Sequence, residues 1–312
     1  MPVTDENQTV VTQFILVGLS DHPQAQLVLF WLLLGVYFLT LLGNGLMIMV
    51  IIADSHLHTP MYFFLSNLSL IDIFYTTSSI PQILANSFTY RASIPVPNCL
   101  TQMYSGLFFG MTECLLLAVM AYDRFAAVCH PLHYTLIMSN RLCTCLVAAS
   151  WIIAFLLTVI PIYFMPVSFC GPNLINHFSC EAQAVYTLAC SNVRINEIFT
   201  IARAIPILVV PFVFIMATYI RIGLAVLRIR SAEAQSKAFS TCGSHLIVVG
   251  IFYGSAMSAY LRPHGKSSSD QDKLISLLYG TLTPMLNPII YSLRNKDVKG
   301  AIYRVIKKKL PE

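Results

Sequence analysis

Seven long stretches of apolar residues run along this chain, and polar and charged residues gather at the breaks between them. The first, Ala25–Ala53, holds no charged residue. The others lie near Pro60–Asn86, Asn98–Val128, Leu142–Phe164, Ile195–Leu227, Ala238–Leu261 and Leu274–Leu293. Roughly 20 apolar residues in a helix cross the hydrocarbon core of a bilayer, and all seven stretches reach that length. A backbone inside lipid must satisfy its own hydrogen bonds, so these stretches are expected to be helices rather than open sheet. Within the third, Leu107, Gly110, Met111 and Cys114 recur at i, i+3, i+4 and i+7. In the sixth, Tyr253, Ala256, Met257 and Tyr260 repeat that spacing, which places each set on one helix face.

Composition excludes the main alternative, a large soluble helical bundle. Hydrophobic residues make up 56%, charged residues only 11%, and mean hydropathy is +0.70. The expected fold class is an all-α membrane protein, a seven-transmembrane helix bundle with a short amphipathic C-terminal helix. That last helix is read over Lys296–Leu310, where Val298, Ala301, Ile302, Val305 and Ile306 alternate with basic residues. The organisation is thus an N-terminal tail over 1–24, a membrane domain over 25–293 and a tail over 294–312. Met1–Pro23 has neither a basic n-region nor an apolar h-region, so the first helix is expected to act as the insertion signal.

Charge adds orientation. Met1–Gln24 holds three acids and no Lys or Arg. Arg294, Lys296, Lys299, Arg304, Lys307, Lys308 and Lys309 crowd the other end, and Arg124, Arg141, Arg221, Arg228, Arg230 and Lys237 fall in loops on the same side. The positive-inside bias puts that side in the cytoplasm and the N-terminus outside, consistent with a multi-pass plasma-membrane protein. The net charge of +5 therefore reports topology and contact with anionic lipid, not a nucleic-acid partner. Asn7-Gln8-Thr9 is a glycosylation acceptor in the outer tail, whereas Asn67-Leu68-Ser69 lies within a span and is read as structural.

Cys99, Cys170, Cys180 and Cys190 lie outside, where disulfides persist, and spacing leaves their three pairings open. No spacing suggests a metal site, and His177 near Cys180 is read as a loop residue. The long outer connection Pro166–Arg194 has the length of a functional cover. Pro81, Pro161, Pro206, Pro211, Pro284 and Pro288 fall inside spans and are expected to mark bends. No catalytic constellation is visible. Intramembrane charge is more informative, because it is costly and faces the interior. Asp72 and Glu113 lie mid-span, with Asn44 and Asn287 as polar neighbours; two carboxylates in low dielectric repel, so a shared proton or a sodium ion is expected between them. Arg203, about two turns into the fifth span, stays charged and must pair with Glu181 or Glu197, snorkel to the outer surface, or meet a polar ligand group.

The blocks Gly43-Asn44, Leu57–Leu65, Met120–Tyr134, Lys237–Leu246 and Pro284–Asn295 carry a resemblance across essentially the whole chain. Pro60–Leu65, Met120-Ala121-Tyr122-Asp123-Arg124 followed by Cys129-His130-Pro131-Leu132, and Lys237–Cys242 are highly specific; Asn287-Pro288-Ile289-Ile290-Tyr291 is more widely shared. The chain resembles the vertebrate odorant receptors of the rhodopsin-like G-protein-coupled class. That resemblance implies that Arg124 meets the G protein when active and is held by Asp123 at rest. It implies that Tyr219 and Tyr291 support Arg124 after the switch, and that Tyr253 takes the toggle position where most receptors of the class carry Trp. It also implies disulfides Cys99–Cys180 and Cys170–Cys190. Phe125 and Thr218 stand where the family usually has Tyr and Ser, and neither change removes a charge.

The family places its ligand cavity among the third, fifth, sixth and seventh helices, which selects Leu107, Gly110, Met111, Arg203, Ile207, Met257 and Tyr260 as its lining, with Leu277 and Gly280 from the seventh. The implied function is activation of a heterotrimeric stimulatory G protein by a small volatile odorant, raising cyclic AMP. A receptor for another small ligand is the first rival, weakened for amines because Gly106, Leu107 and Gly110 stand where an acid would be wanted. A small-solute transporter is the second, weakened by the absence of repeated halves.

Overall fold

The computed structural model describes residues 11–19, 22–89, 91–164, 167–190, 202, 205–228, 231–260, 269–293 and 296–309. Asn7 and Arg203 lie outside the described residues, as do Leu261 and the start of the fifth stretch.

The helices follow the apolar stretches. α1 spans Pro23–Ala53, α2 Pro60–Asn86, α3 Val96–Cys129 and α4 Asn140–Phe164. α5 is Val210–Leu227, preceded by a π-helical turn over Ile205–Val209. α6 is Ala232–Tyr260. α7 comprises Ser269–Leu277, a π-helical turn over Leu278–Leu282, and Thr283–Leu293. α8, Lys296–Lys309, is the short amphipathic helix. Pro23 and Pro60 occupy first-turn positions, where a missing N–H costs nothing. α6 begins before the apolar stretch does, because Ala-Glu-Ala-Gln-Ser-Lys over 232–237 favours helix without favouring lipid.

Six of the spans are long and apolar enough to cross a membrane by length and composition, within Gln24–Ala53, Val96–Cys129, Asn140–Phe164, Ile205–Leu227, Cys242–Tyr260 and Lys273–Ser292. α2 is as long but more polar, and its packing explains how it remains in the bundle. Ser69, Asp72 and Thr76 are buried on its inner face, and the Thr76 hydroxyl donates back to the Asp72 carbonyl at 2.7 Å. The large apolar side chains that remain exposed, such as Trp31, Phe38 and Ile52 on α1 and Val213 and Ile220 on α5, form the outer surface of the bundle. That surface suits lipid, where helix contact relies on close packing rather than on hydrophobic burial. Gly43 shows such packing: a Cβ there would sit 3.0 Å from Cγ of Pro288, so α1 and α7 approach so closely that a larger residue needs Pro288 to give way.

α3 runs through the middle, against α2, α4, α5 and α6. Beyond α7, α8 buries Val298 and Ala301 and is fastened to the loop between α1 and α2. Arg304 donates from Nε and Nη2 to Oδ2 of Asp54 at 2.8 and 2.7 Å, while His56 donates from its backbone N–H to Oδ1 at 3.1 Å and places its ring Nδ1 2.8 Å away. The His56 contact foremost, with Arg304 adding to it, lowers the Asp54 pKa from 3.8 to about 2 against the opposing effect of burial.

One feature is not helical. Gln13–Leu16 (β1) pairs antiparallel with Ala92–Pro95 (β2) and parallel with Leu174–Ile175 (β3), so β1 is the middle strand of a small outer sheet. Within the segment read as the N-terminal tail, residues 13–16 thus form a strand. Phe14 and Leu16 point inward with Ile94 and Ile175, and Phe14 meets Phe169 edge-on. The N-terminal segment thereby becomes part of the cover.

Candidate functional site

The cover over the bundle is built first by two cross-links. Cys99, in the first turn of α3, is bonded to Cys180 in the long outer loop, with Cα atoms 5.3 Å apart; Cys170 is bonded to Cys190 with Cα atoms 5.6 Å apart. The loop between carries a short helix, Ala182–Tyr186. Gln102, one turn below Cys99, accepts the Cys180 N–H at 2.9 Å, and Gln183 donates to the Ala259 carbonyl of α6 at 2.7 Å. The loop is therefore held to both α3 and α6, directly above the bundle's interior.

Beneath it lies a cavity of about 70 Å³. α3 supplies Gly106, Leu107, Gly110, Met111, Glu113 and Cys114 to its wall. The α5 side gives Ile207 and Leu208, α6 gives Phe252, Ala256 and Tyr260, and Tyr75 and Tyr279 close it from α2 and α7. The wall is overwhelmingly apolar, as suits a ligand bound by burial. Gly110 faces open space, since a Cβ there would meet nothing within 4 Å.

A polar cluster lies at Glu113. The Asn287 amide donates to both oxygens of Asp72, at 3.2 and 3.0 Å, and to Oε1 of Glu113 at 3.5 Å. One amide thus joins α2, α3 and α7 through two carboxylates, all buried. Asn44 does not reach these acids. It donates to the Thr40 and Pro284 carbonyls at 3.1 and 3.0 Å and so ties α1 to α7. The polar reading of Asn44 is corrected from cluster member to interhelical tie: the backbone carbonyl of Pro284 lies nearer to its amide than the acids do.

At the inner end, Asp123 is fully buried and accepts the Tyr134 hydroxyl at 2.7 Å. Among the described residues no ion pair joins Asp123 to Arg124. Consecutive helical residues point about 100° apart and do not face each other, so adjacency alone does not bring the two groups into contact. Nε of Arg124 is buried without a partner. Tyr219 and His245 share a hydrogen bond of 2.8 Å and stack with ring centroids 5.6 Å apart, both buried. The Tyr291 hydroxyl is buried without a partner. Tyr253 lies fully buried between the two regions and donates to the Cys114 carbonyl at 2.9 Å, joining α6 to α3.

Comparison with known proteins decides the family. A family model described as olfactory receptor matches residues 33–309. Human olfactory receptor 13H1 is 50% identical over 304 residues, covering 97% of this chain and 99% of that protein. Human olfactory receptor 2A12 is 46% identical over 303 residues, and mouse olfactory receptor 1M1 is 46% identical over 306, each covering 97–98% of both chains. This chain belongs to the olfactory receptor family. It is therefore a seven-transmembrane receptor of the G-protein-coupled type rather than an enzyme.

For an olfactory receptor, the placement of the sequence-read residues is informative. Leu107, Gly110, Met111, Ile207 and Tyr260 meet at one cavity. Met257 does not line it; Phe252, Ala256 and Tyr260, spaced four apart, form the α6 face, and Met257 packs beside the core. From α7 the lining residue is Tyr279, while Leu277 packs against Leu33 and Ile83. The π-helical turn at Leu278–Leu282 inserts an extra residue and rotates the face, which counting at 3.6 residues per turn cannot anticipate. His245 and Tyr134 were passed over although both fall within the receptor's matching motif blocks. Tyr75, Gln102 and Glu181 carry no periodic signal and emerge only from packing.

Proposed function

We propose that this receptor binds small volatile odorants in the cavity under the Cys99–Cys180 loop and activates a heterotrimeric stimulatory G protein of the olfactory type, raising cyclic AMP. The observation that carries the reading is the apolar cavity itself, walled by α3, α5, α6 and α7 with few polar groups. The receptor would sit in the plasma membrane with its N-terminus outside and its basic tail on the inner leaflet, as the distribution of Lys and Arg favours. Asn7 would carry a glycan. Arg203, outside the described residues, would serve as a polar contact for ligand or as the partner of a carboxylate.

An agonist shifts the equilibrium only by its preference for one state. The switch proposed here runs from the cavity through Tyr253 to the inner end. Outward movement of α6 would separate Tyr253 from the Cys114 carbonyl and His245 from Tyr219. Tyr219 and Tyr291 would then be available to the Arg124 guanidinium, which would meet the G protein. The Asp72, Glu113 and Asn287 cluster would hold a proton or a sodium ion in the resting state. A cyclic-AMP reporter screen of chemically diverse volatiles, repeated on cavity variants at matched surface level, tests the reading. Its failure would be a receptor at the surface that answers to none.

A further inference from the structure

The cavity does not end at its apolar wall. A second compartment of about 40 Å³ lies above it, and the two share Tyr75, Gly106, Leu107, Tyr260 and Tyr279. The upper one is polar: Ser79, Gln102, Ser179 and Glu181 contribute to it. Glu181 also borders an outer vestibule of about 280 Å³ formed by the loop and the outer ends of α6 and α7. A molecule passing from the vestibule to the apolar chamber therefore passes this carboxylate.

Two groups in the upper compartment give it chemical character. Glu181 accepts the Tyr279 hydroxyl at 3.2 Å through Oε1. Gln102 is 6% exposed, and its amide orientation is fixed because Oε1 accepts the Cys180 N–H. Its Nε2 is consequently a donor, buried and without a partner. A buried donor left unmade costs free energy until something accepts from it. The compartment thus offers a strong acceptor and an unused donor. Among the described residues, no Lys, Arg or His lines either compartment.

We propose that the upper compartment recognises the head group of a hydroxyl-bearing odorant, an alcohol whose O–H donates to Glu181 and whose oxygen accepts from Nε2 of Gln102, with its hydrocarbon body in the apolar chamber below. The inference rests on the odorant reading and narrows it. An aldehyde or ketone only accepts, so it would satisfy Gln102 and set its lone pairs against the Glu181 carboxylate. A carboxylic acid, ionised at neutral pH, would set a second carboxylate against Glu181. An amine would suit Glu181 but present a further donor to Gln102. Of these four groups, only the hydroxyl complements both.

The test is a cyclic-AMP dose–response series on matched volatile sets, each giving one carbon skeleton as alcohol, aldehyde, carboxylic acid, amine and alkane, from linear to aromatic skeletons. The alcohol should be the most potent member of every active set. Glu181→Gln, which keeps an acceptor for Tyr279, should raise the alcohol EC50 by roughly tenfold or more at matched surface level, as expected for loss of a charge-assisted hydrogen bond. The same variant should leave the alkane of that set unchanged and should not weaken the aldehyde, whose repulsion from the carboxylate it removes, an asymmetry that mere loop damage would not produce. An acid, aldehyde or amine as the best member, or equal losses across a set, overturns the inference while the odorant reading stands. Silence toward every set from receptor at the surface removes both. If Glu181→Gln fails to reach the surface, the ranking on the unmodified receptor decides alone.

Discussion

Gly110→Leu probes the cavity most directly, because it adds bulk without charge where the backbone tolerates it. A Cβ at position 110 meets nothing within 4 Å, so the side chain enters free space rather than a neighbouring helix. Leucine brings four carbons into a cavity of about 70 Å³. An agonist that occupies that space must withdraw a comparable number of carbons from burial. At about 0.8 kcal/mol per methylene this amounts to ~3 kcal/mol, or roughly 100-fold in EC50. Agonists small enough to stay clear of position 110 should lose little. The assay is cyclic-AMP dose–response over a homologous series of agonists, normalised to surface staining. Gly43→Leu is the contrasting control: its Cβ would lie 3.0 Å from Cγ of Pro288, so it should reduce surface level rather than reshape the agonist profile. A Gly110→Leu receptor at normal surface level with an unchanged profile would place the ligand elsewhere.

Other consequences follow from the same geometry. Asp72→Asn and Glu113→Gln should each change activation and its sensitivity to sodium, because one Asn287 amide binds both acids; two variants with unaltered sodium dependence would reduce the cluster to a structural role. Asp54→Asn should loosen α8, seen as faster proteolysis of the tail in nanodiscs, and equal rates would show that Arg304 contributes nothing there. The Asp54 pKa is lowered in the fold, so its contribution is present above the ordinary 3.8 and is lost as pH falls through about 2; tail protection should decline across that window and not near neutrality. Non-reducing peptide mapping should recover Cys99 with Cys180 and Cys170 with Cys190, and a Cys99–Cys170 peptide would contradict the cover described.

The seven spans were legible because lipid imposes continuous apolarity on whatever crosses it. α2 was legible by length although Ser69, Asp72 and Thr76 make it more polar, since those groups are buried inward, with Thr76 bonding back to its own helix and Asp72 bound by Asn287. The α3 face was legible because α3 is an uninterrupted helix, so i, i+3, i+4 and i+7 counting puts Leu107, Gly110, Met111 and Cys114 together, and all four line one cavity. Phase counting failed on α6 by a fraction of a turn, choosing Met257 over Phe252, and failed on α7 because a π-helical turn intervenes. β1 was not visible because a four-residue alternation is too short to stand out from a tail. The loop-borne Glu181 and the partners Tyr134 and His245 depend on where distant segments meet, which local pattern does not encode.

An odorant in the cavity under the Cys99–Cys180 loop is proposed to drive coupling through Arg124 at the far end of the bundle. Cells carrying the intact receptor, or Arg124→Ala at equal surface level, can be screened in parallel for cyclic AMP against a broad volatile panel. Arg124 lies at the inner edge and forms no pair with Asp123 among the described residues, so its loss should cost little packing. The intact receptor should give dose-dependent responses to a subset of volatiles, and the variant none. A full response from Arg124→Ala, or no response from the intact receptor at the surface, would contradict that proposal.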